Sequence, residues 1–489
     1  MASFADVIAT SEAAFGTSGV RGLVEELTDA ACFAYTCAFL AHMETSYALP
    51  KNSAVWLGHD RRPSSPQIAA ACIAAIEHCG HKPVFCGEIA TPSVAFSALQ
   101  DGAPAIIVTG SHIPFDRNGI KFHRADGELM KSDEQPIIEY AKDFPEDLFN
   151  GATLAFKHEL PQPSRQAHDA YHHRAVSAFD SVLNGMRVGH FQHSAAGRDD
   201  LANLLQALGA EVVPLGRSEQ FVPIDTEAVA DADMAQAKLW ARELNLDALM
   251  STDGDGDRPL LGDETGRYLR GDTLGILAAQ ALGADCVVTP VSSNTALEKS
   301  GLFGRTIRTK IGSPHVIAGM NEAVTEAQGA VVGFEANGGF LTATPVRSPW
   351  NDATLAPLPT RDAVLPVLAV IALARKAGVP LSQVADHLPQ RITCSDRFAD
   401  TPREHSLRLI ESLQETPDQT SALALNNQVL ISTDDTDGLR MTFQDESVVH
   451  LRPSGNAPEL RIYVENDSDA SANDLLMHAK STIAALLGD

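Results

Sequence analysis

Length, composition and charge limit what this chain can be. The 489 residues are 44% hydrophobic and 20% charged, without a low-complexity tract, so they should fold into several cores of ordinary domain size. The formal net charge of −26 disfavours non-specific binding to nucleic acid or docking on an anionic membrane. It leaves room for a small anionic substrate, because a few local arginines can reverse the field in one cleft.

The N-terminal segment and the cysteines favour a cytoplasmic protein. The first residues lack the basic start and long apolar core of a secretion signal. The longest apolar run, Leu365–Ala374, has about half the length that spans a bilayer. The seven cysteines are odd in number and form no CxxC, so we interpret them as reduced, mostly buried thiols.

A strand–helix–strand pattern recurs three times along the chain. The units run from Ala54 to Cys86, from Met186 to Leu215 and from Cys286 to Arg308. In each, an apolar strand is followed by a serine-containing loop and a helix that closes on a glycine, which suits a left-handed C-terminal cap. Such units predict parallel, right-handed crossovers. They indicate three related α/β domains that arose by internal duplication. The alternative is that they are only the strand–helix–strand repetition common to all α/β proteins.

The pattern changes after about Val379. Four segments read as strands and 470–487 as a helix; the strands are Val429–Thr433, Gly438–Phe443, Ser447–Arg452 and Leu460–Glu465. This predicts a smaller α+β domain with an antiparallel sheet. The expected domains are 1–157, 158–265, 266–378 and 379–489.

Two glycine-containing segments in the first predicted domain carry polar residues. The segment FGTSGVRG (15–22) is a weak candidate phosphate cradle with one fixed cation, Arg21. The segment VTGSHIPFDRNGIKF (108–122) reads as a strand, a polar turn and a second strand. It places Ser111 beside His112, with Lys121 within ten residues, and taken alone it is as consistent with an ordinary polar loop.

The segment STDGDGDR (251–258) is the strongest local signal. Asp253, Asp255 and Asp257 alternate with glycines directly after the apolar stretch 246–250. Three carboxylates this close repel one another unless a cation neutralises them, and few hard oxygen ligands suit Mg²⁺. An EF-hand is the nearest rival, but Arg258 stands where that loop needs glycine. A solvated acidic turn is the remaining alternative.

Two further segments suggest substrate contacts. In GFEANGGF (333–340), strand alternation would turn Glu335 and Asn337 to one face, where they suit neighbouring hydroxyls, although a plain turn is equally consistent. The segment RPSGNAPELR (452–461) combines Arg452, a serine hydroxyl, glycine-freed amides and Arg461, which are the donors that a phosphate monoester needs.

Taken together and in this order, these segments and GHDRRPSS (58–65) resemble the α-D-phosphohexomutase family. The resemblance covers essentially the whole chain. It implies three similar α/β domains with mixed sheets and a smaller C-terminal α+β domain around a central cleft. It also implies a Mg²⁺-dependent isomerase that interconverts hexose 6- and 1-phosphates, with a hexose 1,6-bisphosphate as intermediate and activator.

The resemblance implies roles for individual residues. Ser111 would carry a phosphoryl group and, with Asp253, Asp255 and Asp257, would ligate the metal. Arg21 and Lys121 would lie near the transferring group, Lys121 as an acid or base if its pKa is depressed, and His112 would position the loop. The expected substrate contacts are Thr17, Ser18, Arg258, Lys310, Glu335, Asn337, Arg452, Ser454, Gly455, Asn456 and Arg461.

Departures from the family pattern affect the acid/base and substrate assignments. Many relatives have asparagine at the position of Ile113, serine at Asn337 and histidine, a candidate base, at Gly339. The variants look closest to a bacterial phosphomannomutase branch, so mannose phosphates are the expected substrates. A phosphoglucomutase, a phosphoglucosamine mutase, a phosphatase and a non-catalytic sugar-phosphate regulator are the alternatives. Either a monomer or a homodimer is compatible with the resemblance.

Overall fold

The computed structural model describes residues 2–156, 159–454 and 458–488. The chain divides into two compact units. The first is Met1–Gly283 with Asn337–Val384, and the second is Ala284–Ala336 with Ala385–Asp489.

The first part of the chain forms a seven-stranded sheet with helices packed on it. Its elements are α1 (Phe4–Thr10), β1 (Ala14–Phe15), β2 (Val20–Leu23), α2 (Asp29–Ser46), β3 (Ala54–His59), α3 (Ser65–His78), β4 (Lys82–Glu88), α4 (Thr91–Asp101), β5 (Ala105–Val108), β6 (Arg117–Arg124), β7 (Gly127–Glu128) and α5 (Lys131–Ile138), followed by the small ribbon β8 (Phe149–Asn150) and β9 (Thr153–Leu154). The strand order is β1-β2-β6-β5-β3-β4, with β7 paired to β6. Because β3 and β5 are parallel, with His59 opposite Val108, the loops that follow these two residues lie side by side.

The second sheet carries the aspartate-rich segment. Its elements are α6 (Gln166–Phe179), β10 (Arg187–Phe191), α7 (Arg198–Ala207), β11 (Glu211–Leu215), α8 (Asp231–Leu244), β12 (Ala248–Thr252), β13 (Pro259–Gly262) and α9 (Gly271–Ala281). The order is β11-β10-β12-β13, in which β10 is parallel to β11 and β12, and β13 is antiparallel to β12. The segment 253–258 is therefore the hairpin loop between β12 and β13.

The next elements belong partly to each unit. The second unit holds β14 (Ala284–Pro290), α10 (Ala296–Lys299), β15 (Arg305–Thr309), α11 (Ser313–Val324) and β16 (Ala330–Phe334), with β14 parallel to both β15 and β16. The first unit holds β17 (Phe340–Thr342), β18 (Val346–Arg347), β19 (Thr354–Leu355), β20 (Leu358–Asp362) and α12 (Val364–Ala377), with β17 antiparallel to β20.

The C-terminal part of the second unit is an antiparallel sheet with helices. Its elements are β21 (Ile392–Phe398), α13 (Arg403–Glu415), α14 (Pro417–Ser421), β22 (Leu430–Asp434), β23 (Leu439–Phe443), β24 (Val448–Pro453), β25 (Leu460–Asn466) and α15 (Asp469–Gly488). The order is β21-β25-β24-β23-β22. All four pairings are antiparallel.

The predicted fold class is confirmed. The three strand–helix–strand units appear as the parallel pairs β3–β4, β10–β11 and β14–β15. The C-terminal antiparallel sheet is also as predicted, although β21 and α13 were not foreseen. The third strand–helix–strand segment differs in detail from the prediction, because its helix α10 is a single turn of four residues. The four domain boundaries stay predictions.

The core of the first sheet is built on α2, which is buried on nearly every side. Phe33, Phe39 and Leu40 are fully buried, and each such side chain contributes about 1.5–3 kcal/mol of burial free energy. Three cysteines, Cys32, Cys37 and Cys72, are small apolar fillers of this core. All seven cysteines are free thiols and most are buried, as predicted.

Within the described residues, we find no helix with the length and apolar character needed to cross a membrane.

The buried His190 on β10 makes the stability of the first unit sensitive to acid. Its side chain is 1% exposed, and burial lowers its pKa to about 3, so only the unfolded chain binds its proton between about pH 3 and 6.5. Its contribution is present above pH 6.5 and is lost as the pH falls, by about 1.4 kcal/mol per pH unit. We expect the thermal midpoint of His190→Gln to fall less steeply than that of the parent between pH 6.5 and 4.5. Equal slopes would show that His190 is not the titrating group.

Candidate active site

Ser111 follows β5 in a backbone conformation that few serines adopt. Its φ is +56°, in the left-handed region, which costs roughly 1–3 kcal/mol. Its amide donates to Thr109 Oγ1 (2.8 Å), and its hydroxyl donates to Asp253 Oδ2 (2.7 Å). The side chain is 3% exposed, so the hydroxyl is held in one place.

Arg62 and Asp60, from the loop after β3, hold the Ser111 loop in this shape. The Arg62 guanidinium donates to the carbonyl oxygens of Ser111 (2.9 Å), Ile113 (2.5 Å), Pro114 (2.6 Å) and Arg117 (2.9 Å). Asp60 pairs with Arg62 Nε (3.2 Å) and accepts from Thr109 Oγ1 (2.7 Å). Both charged groups are 1% exposed, so they depend on each other for neutralisation.

The three aspartates of the β12–β13 loop converge beside Ser111. One ligand atom from each lies within 4.8 Å of the others, and all three side chains are buried. The glycines make this possible, because Gly256 has a φ of +73° and a Cβ at Gly254 would lie 2.7 Å from the Ser111 carbonyl. Burial raises the pKa of Asp253, with the neighbouring Asp255 and Asp257 carboxylates acting in the same direction.

Lys121 of β6 bridges two of the aspartates. Its Nζ donates to Asp255 Oδ2 (2.6 Å) and Asp257 Oδ2 (2.7 Å). Burial acts to lower the pKa of Lys121, but the two carboxylates outweigh it and the pKa is raised. Burial likewise acts to raise the pKa of Asp255, and Lys121 reverses the direction. The two carboxylates thus hold Lys121 as a cation, and its role as an acid or base stays a prediction.

His112 and Arg258 meet beside Ser111. Arg258 Nη1 lies 3.0 Å from His112 Nδ1, and the arginine charge together with burial lowers the pKa of His112 to about 3. The imidazole is therefore neutral at neutral pH. Arg258 also lies 3.9 Å from Asp253 and 3.8 Å from Asp257, measured from Nε to the carboxylate oxygens.

Arg21 and the turn before it lie against β6. Arg21 donates to the carbonyl oxygen of Thr109, and burial lowers its pKa to about 10, so it stays charged. Gly19, with a φ of +73°, packs so closely that a Cβ there would lie 2.3 Å from the Ile120 carbonyl and 2.9 Å from Lys121 Cα. This contact places the turn of Thr17 and Ser18 next to Lys121.

The remaining predicted contacts are distributed over both units. Asn337 lies in the first unit, where its Oδ1 accepts from the Gly339 amide (2.9 Å). Glu335 is 3% exposed and lies in the second unit. The strand β16 ends at Phe334, so strand alternation does not set the directions of these two side chains.

Four other predicted contacts also lie in the second unit. Lys310 is exposed after β15. Arg452 and Arg461 are direct cross-strand partners on β24 and β25, and Arg452 Nε lies 2.8 Å from Asp437 Oδ2. Ser454 is 6% exposed at the start of the loop between these strands. Gly455 and Asn456 are outside the described residues.

Four residues of this site had no predicted role: Asp60, Arg62, Thr91 and Arg361. Asp60 and Arg62 lie in the quoted segment 58–65, but their partners are mostly backbone carbonyls and a threonine, which no spacing rule reveals. Thr91, at the start of α4, donates to Asp255 Oδ2 (2.7 Å). Arg361 lies 3.4 Å from Asp257 Oδ2, measured from Nη1.

The aspartate loop fits a divalent cation. Asp255 Oδ1 and Asp257 Oδ1 are buried and accept no hydrogen bond within the described part of the chain, so two carboxylate oxygens are available as ligands. Asp253 Oδ1 instead accepts from the amides of Asp257 and Arg258 (both 3.2 Å), which fixes its orientation. Oxygen donors in this number suit a hard cation.

Comparison with known proteins gives the family. The sequence matches three protein-family models of phosphoglucomutase/phosphomannomutase. These are alpha/beta/alpha domain I over residues 12–145, alpha/beta/alpha domain III over 270–392 and the C-terminal domain over 408–479. A phosphomannomutase of Salmonella muenchen is 43% identical over 485 residues, covering 99% of this chain and 98% of the relative. The chain belongs to the phosphoglucomutase/phosphomannomutase family. The predicted family and its class of enzyme, a phosphohexomutase and hence an isomerase, are confirmed.

Other family members show how the similarity is graded. A phosphomannomutase of Sinorhizobium fredii is 42% identical, with 94% of this chain and 97% of the relative covered. A probable phosphoglucosamine mutase of Methanothermobacter thermautotrophicus is 27% identical, with 97% and 98% covered. A solved family structure from Burkholderia thailandensis shares the fold with a TM-score of 0.74 at 19% identity, covering 99% of this chain and 98% of that one.

The role of Arg62 can be separated into charge and geometry. Arg62→Met leaves Asp60 buried without its cation, so we expect a loss of about 3–5 kcal/mol in unfolding free energy. Arg62→Lys keeps a charge but cannot reach several carbonyls at once, so it should lose less stability while turnover still falls. A displacement of ~1 Å at Ser111 can cost about 10²-fold in rate. The measurements are chemical denaturation and steady-state turnover. Normal turnover in Arg62→Lys would show that the loop does not need the guanidinium.

Proposed function

We propose that this enzyme interconverts mannose 6-phosphate and mannose 1-phosphate through a phosphorylated Ser111. The observation that carries the proposal is the Ser111 hydroxyl, held 2.7 Å from Asp253 in a loop that three aspartates and Lys121 surround. The sugar assignment is supported by relatives named as phosphomannomutases at 42–43% identity, against 27% for a relative named as a probable phosphoglucosamine mutase.

The proposed reaction has two transfers. A hydroxyl of the hexose monophosphate attacks the phosphorus of phosphoserine, and the bond from phosphorus to Ser111 Oγ breaks. The proton that the attacking hydroxyl loses is matched by the one that Ser111 Oγ gains, so the serine leaves as a neutral hydroxyl. The hexose 1,6-bisphosphate turns over in the site, and its other phosphoryl group returns to Ser111 Oγ. Mg²⁺ bound by Asp253, Asp255, Asp257 and the Ser111 phosphate would supply positive charge as the phosphoryl group moves.

The protein residues have separate tasks in this scheme. Arg62 and Asp60 fix the loop of the serine that carries the phosphoryl group, so its orientation is set by the protein. Arg21, Lys121 and Arg258 provide fixed positive charge around the phosphoryl oxygens. His112 is neutral and accepts a hydrogen bond from Arg258, so it orients that arginine instead of donating a proton.

The substrate contacts stay proposals taken from the resemblance. Thr17 and Ser18 would meet the sugar beside Lys121, and Glu335 and Asn337 would meet its hydroxyls. The non-reacting phosphate would be held by Arg452, Ser454, Gly455 and Asn456, and Lys310 and Arg461 would be further substrate contacts. We also propose four domains, 1–157, 158–265, 266–378 and 379–489. They carry, in this order, the phosphoserine loop, the metal-binding loop, the sugar-recognition loop and the phosphate-binding loop. We also propose a cytoplasmic location, since free thiols suit a reducing compartment.

The phosphoserine is tested by mass and by turnover. Intact protein should contain a species heavier by about 80 Da that maps to the Ser111 peptide. Ser111→Ala should lose both this species and at least ~10³-fold in turnover, because covalent relay is the mechanism. The exposed Ser46→Ala is the control and should keep both. An active Ser111→Ala variant would rule out the assignment.

The turnover assay also tests which sugar phosphate is the preferred substrate, and it distinguishes a mutase from a phosphatase. Mannose 1-, glucose 1- and glucosamine 1-phosphates are compared at equal concentrations, and free phosphate is measured in parallel. We expect the highest kcat/KM with mannose 1-phosphate and no net phosphate release. A preference for glucosamine 1-phosphate would contradict the sugar assignment, and stoichiometric release of phosphate would contradict the mutase.

The metal is tested on the aspartate loop itself. Chelation should abolish turnover, and Mg²⁺ should restore it better than Ca²⁺, whose looser coordination places the phosphoryl group less well. Asp255→Asn should weaken Mn²⁺ binding measured by calorimetry. Asp263→Asn is the matched control, because Asp263 is also buried (3% exposed) but its carboxylate accepts from the Thr265 amide and hydroxyl and from the Arg267 amide. Full turnover in excess chelator would exclude a metal-dependent reaction.

A further inference from the structure

Gly339 makes room for an arginine at the aspartate loop. A Cβ built at Gly339 would lie 2.6 Å from Cδ and 2.8 Å from Cγ of Arg361. Atoms do not approach this closely, so any larger residue at position 339 would displace the Arg361 side chain. Gly339 and the aliphatic stem of Arg361 thus occupy one space between them.

The guanidinium of Arg361 reaches the metal-binding carboxylates. Its Nη1 lies 3.4 Å from Asp257 Oδ2, the same oxygen that accepts from Lys121 Nζ at 2.7 Å. The Arg361 side chain is 4% exposed and that of Asp257 is 1% exposed, so water screens this pair weakly. The three loop carboxylates are therefore paired with Lys121, Arg258 and Arg361.

Buried hydrogen bonds on both sides of Arg361 fix its backbone. Thr360 Oγ1 donates to Glu128 Oε1 (2.6 Å). Asp362 accepts from Tyr171 Oη (2.5 Å) and Arg174 Nη1 (2.8 Å), and it caps α12 by accepting from the Val364 amide (2.9 Å). Because side chains alternate along β20, Thr360 and Asp362 anchor one face while Arg361 projects from the other, towards Asp257.

We propose that Arg361 is a positioning residue of phosphoryl transfer, admitted to the site by Gly339. It holds Asp257 and, with Lys121 and Arg258, offsets the charge of the aspartate loop, so that a divalent cation and a dianionic phosphoryl group together leave the buried site close to neutral. Without Arg361 the net charge of the site is more negative by one unit. A divalent cation then binds at least as tightly, whereas the phosphoryl group is repelled. This inference rests on the proposed phosphoryl transfer at Ser111.

The test measures cation binding and turnover separately. In Arg361→Met, which keeps most of the stem, we expect kcat to fall roughly 10²-fold, the usual size for loss of one fixed electrostatic contact. Mn²⁺ affinity, measured by calorimetry without substrate, should be unchanged or tighter. Arg361→Lys keeps the charge and should retain more turnover than Arg361→Met. Arg124→Met, which removes a partly buried arginine 3.3 Å from Asp133, is the control and should keep both properties.

Gly339→Ala tests the shared space. It should reduce kcat by displacing Arg361, and the double variant with Arg361→Met should be no slower than Arg361→Met alone. Additive losses would show that Gly339 acts independently of Arg361.

Three results would overturn the proposal. The first is parental turnover in Arg361→Met. The second is a joint loss of turnover and Mn²⁺ binding with a lowered thermal midpoint, which would mean a purely structural role. The third is additivity with Gly339→Ala. An inactive parent protein that still binds Mn²⁺ would count against the mutase proposal instead, so the two failures are distinguishable.

Discussion

The candidate active site depends on the repulsion among three buried carboxylates. Asp253, Asp255 and Asp257 stand within 4.8 Å of one another in a place that water barely reaches. At such distances and low polarity, like charges repel by several kcal/mol unless cations lie between them. Lys121, which comes from another strand, bridges Asp255 and Asp257 and reduces this repulsion. The same concentration of negative charge suits the loop to a divalent cation.

A second constraint, the pairing of two strands, places Ser111 beside the aspartate loop. The parallel pairing of β3 with β5 sets two loops side by side, and Arg62 from one ties the carbonyls of the other. The strained backbone of Ser111 is thereby over-determined, as is common where strain serves function. The serine hydroxyl donates its hydrogen bond to Asp253.

Much of the fold was predictable from sequence, because it follows from local rules. Apolar strands followed by helices that end on glycine predicted three parallel pairs, and all three are present. The single-turn helix α10 was not predictable in length, since the residues from Thr295 to Gly301 have no long apolar face to bury. The strand β21 was missed because its alternation is broken by polar residues, yet it pairs with β25 along its whole length.

The site was predictable where its chemistry shows in a dense motif. Three aspartates spaced by glycines predict a cation site, and their carboxylates do lie close together in the structure. Arg62 and Arg361 carry no such signal, since their partners come from distant segments or from the backbone. The pKa of Lys121 was also beyond sequence reasoning, because its sign depends on whether burial or the two carboxylates prevail. Here the carboxylates prevail, and the lysine is a cation.

The central claim is that the aspartate loop and Ser111 form one site in which a bound cation touches the phosphoryl group. Electron–nuclear double resonance on the phosphorylated protein loaded with Mn²⁺ measures this contact directly. We expect a ³¹P hyperfine coupling from a phosphate oxygen shared with the metal, present without substrate and absent in Ser111→Ala. Mn²⁺ bound to the aspartates with no ³¹P coupling in the fully phosphorylated enzyme would contradict the account.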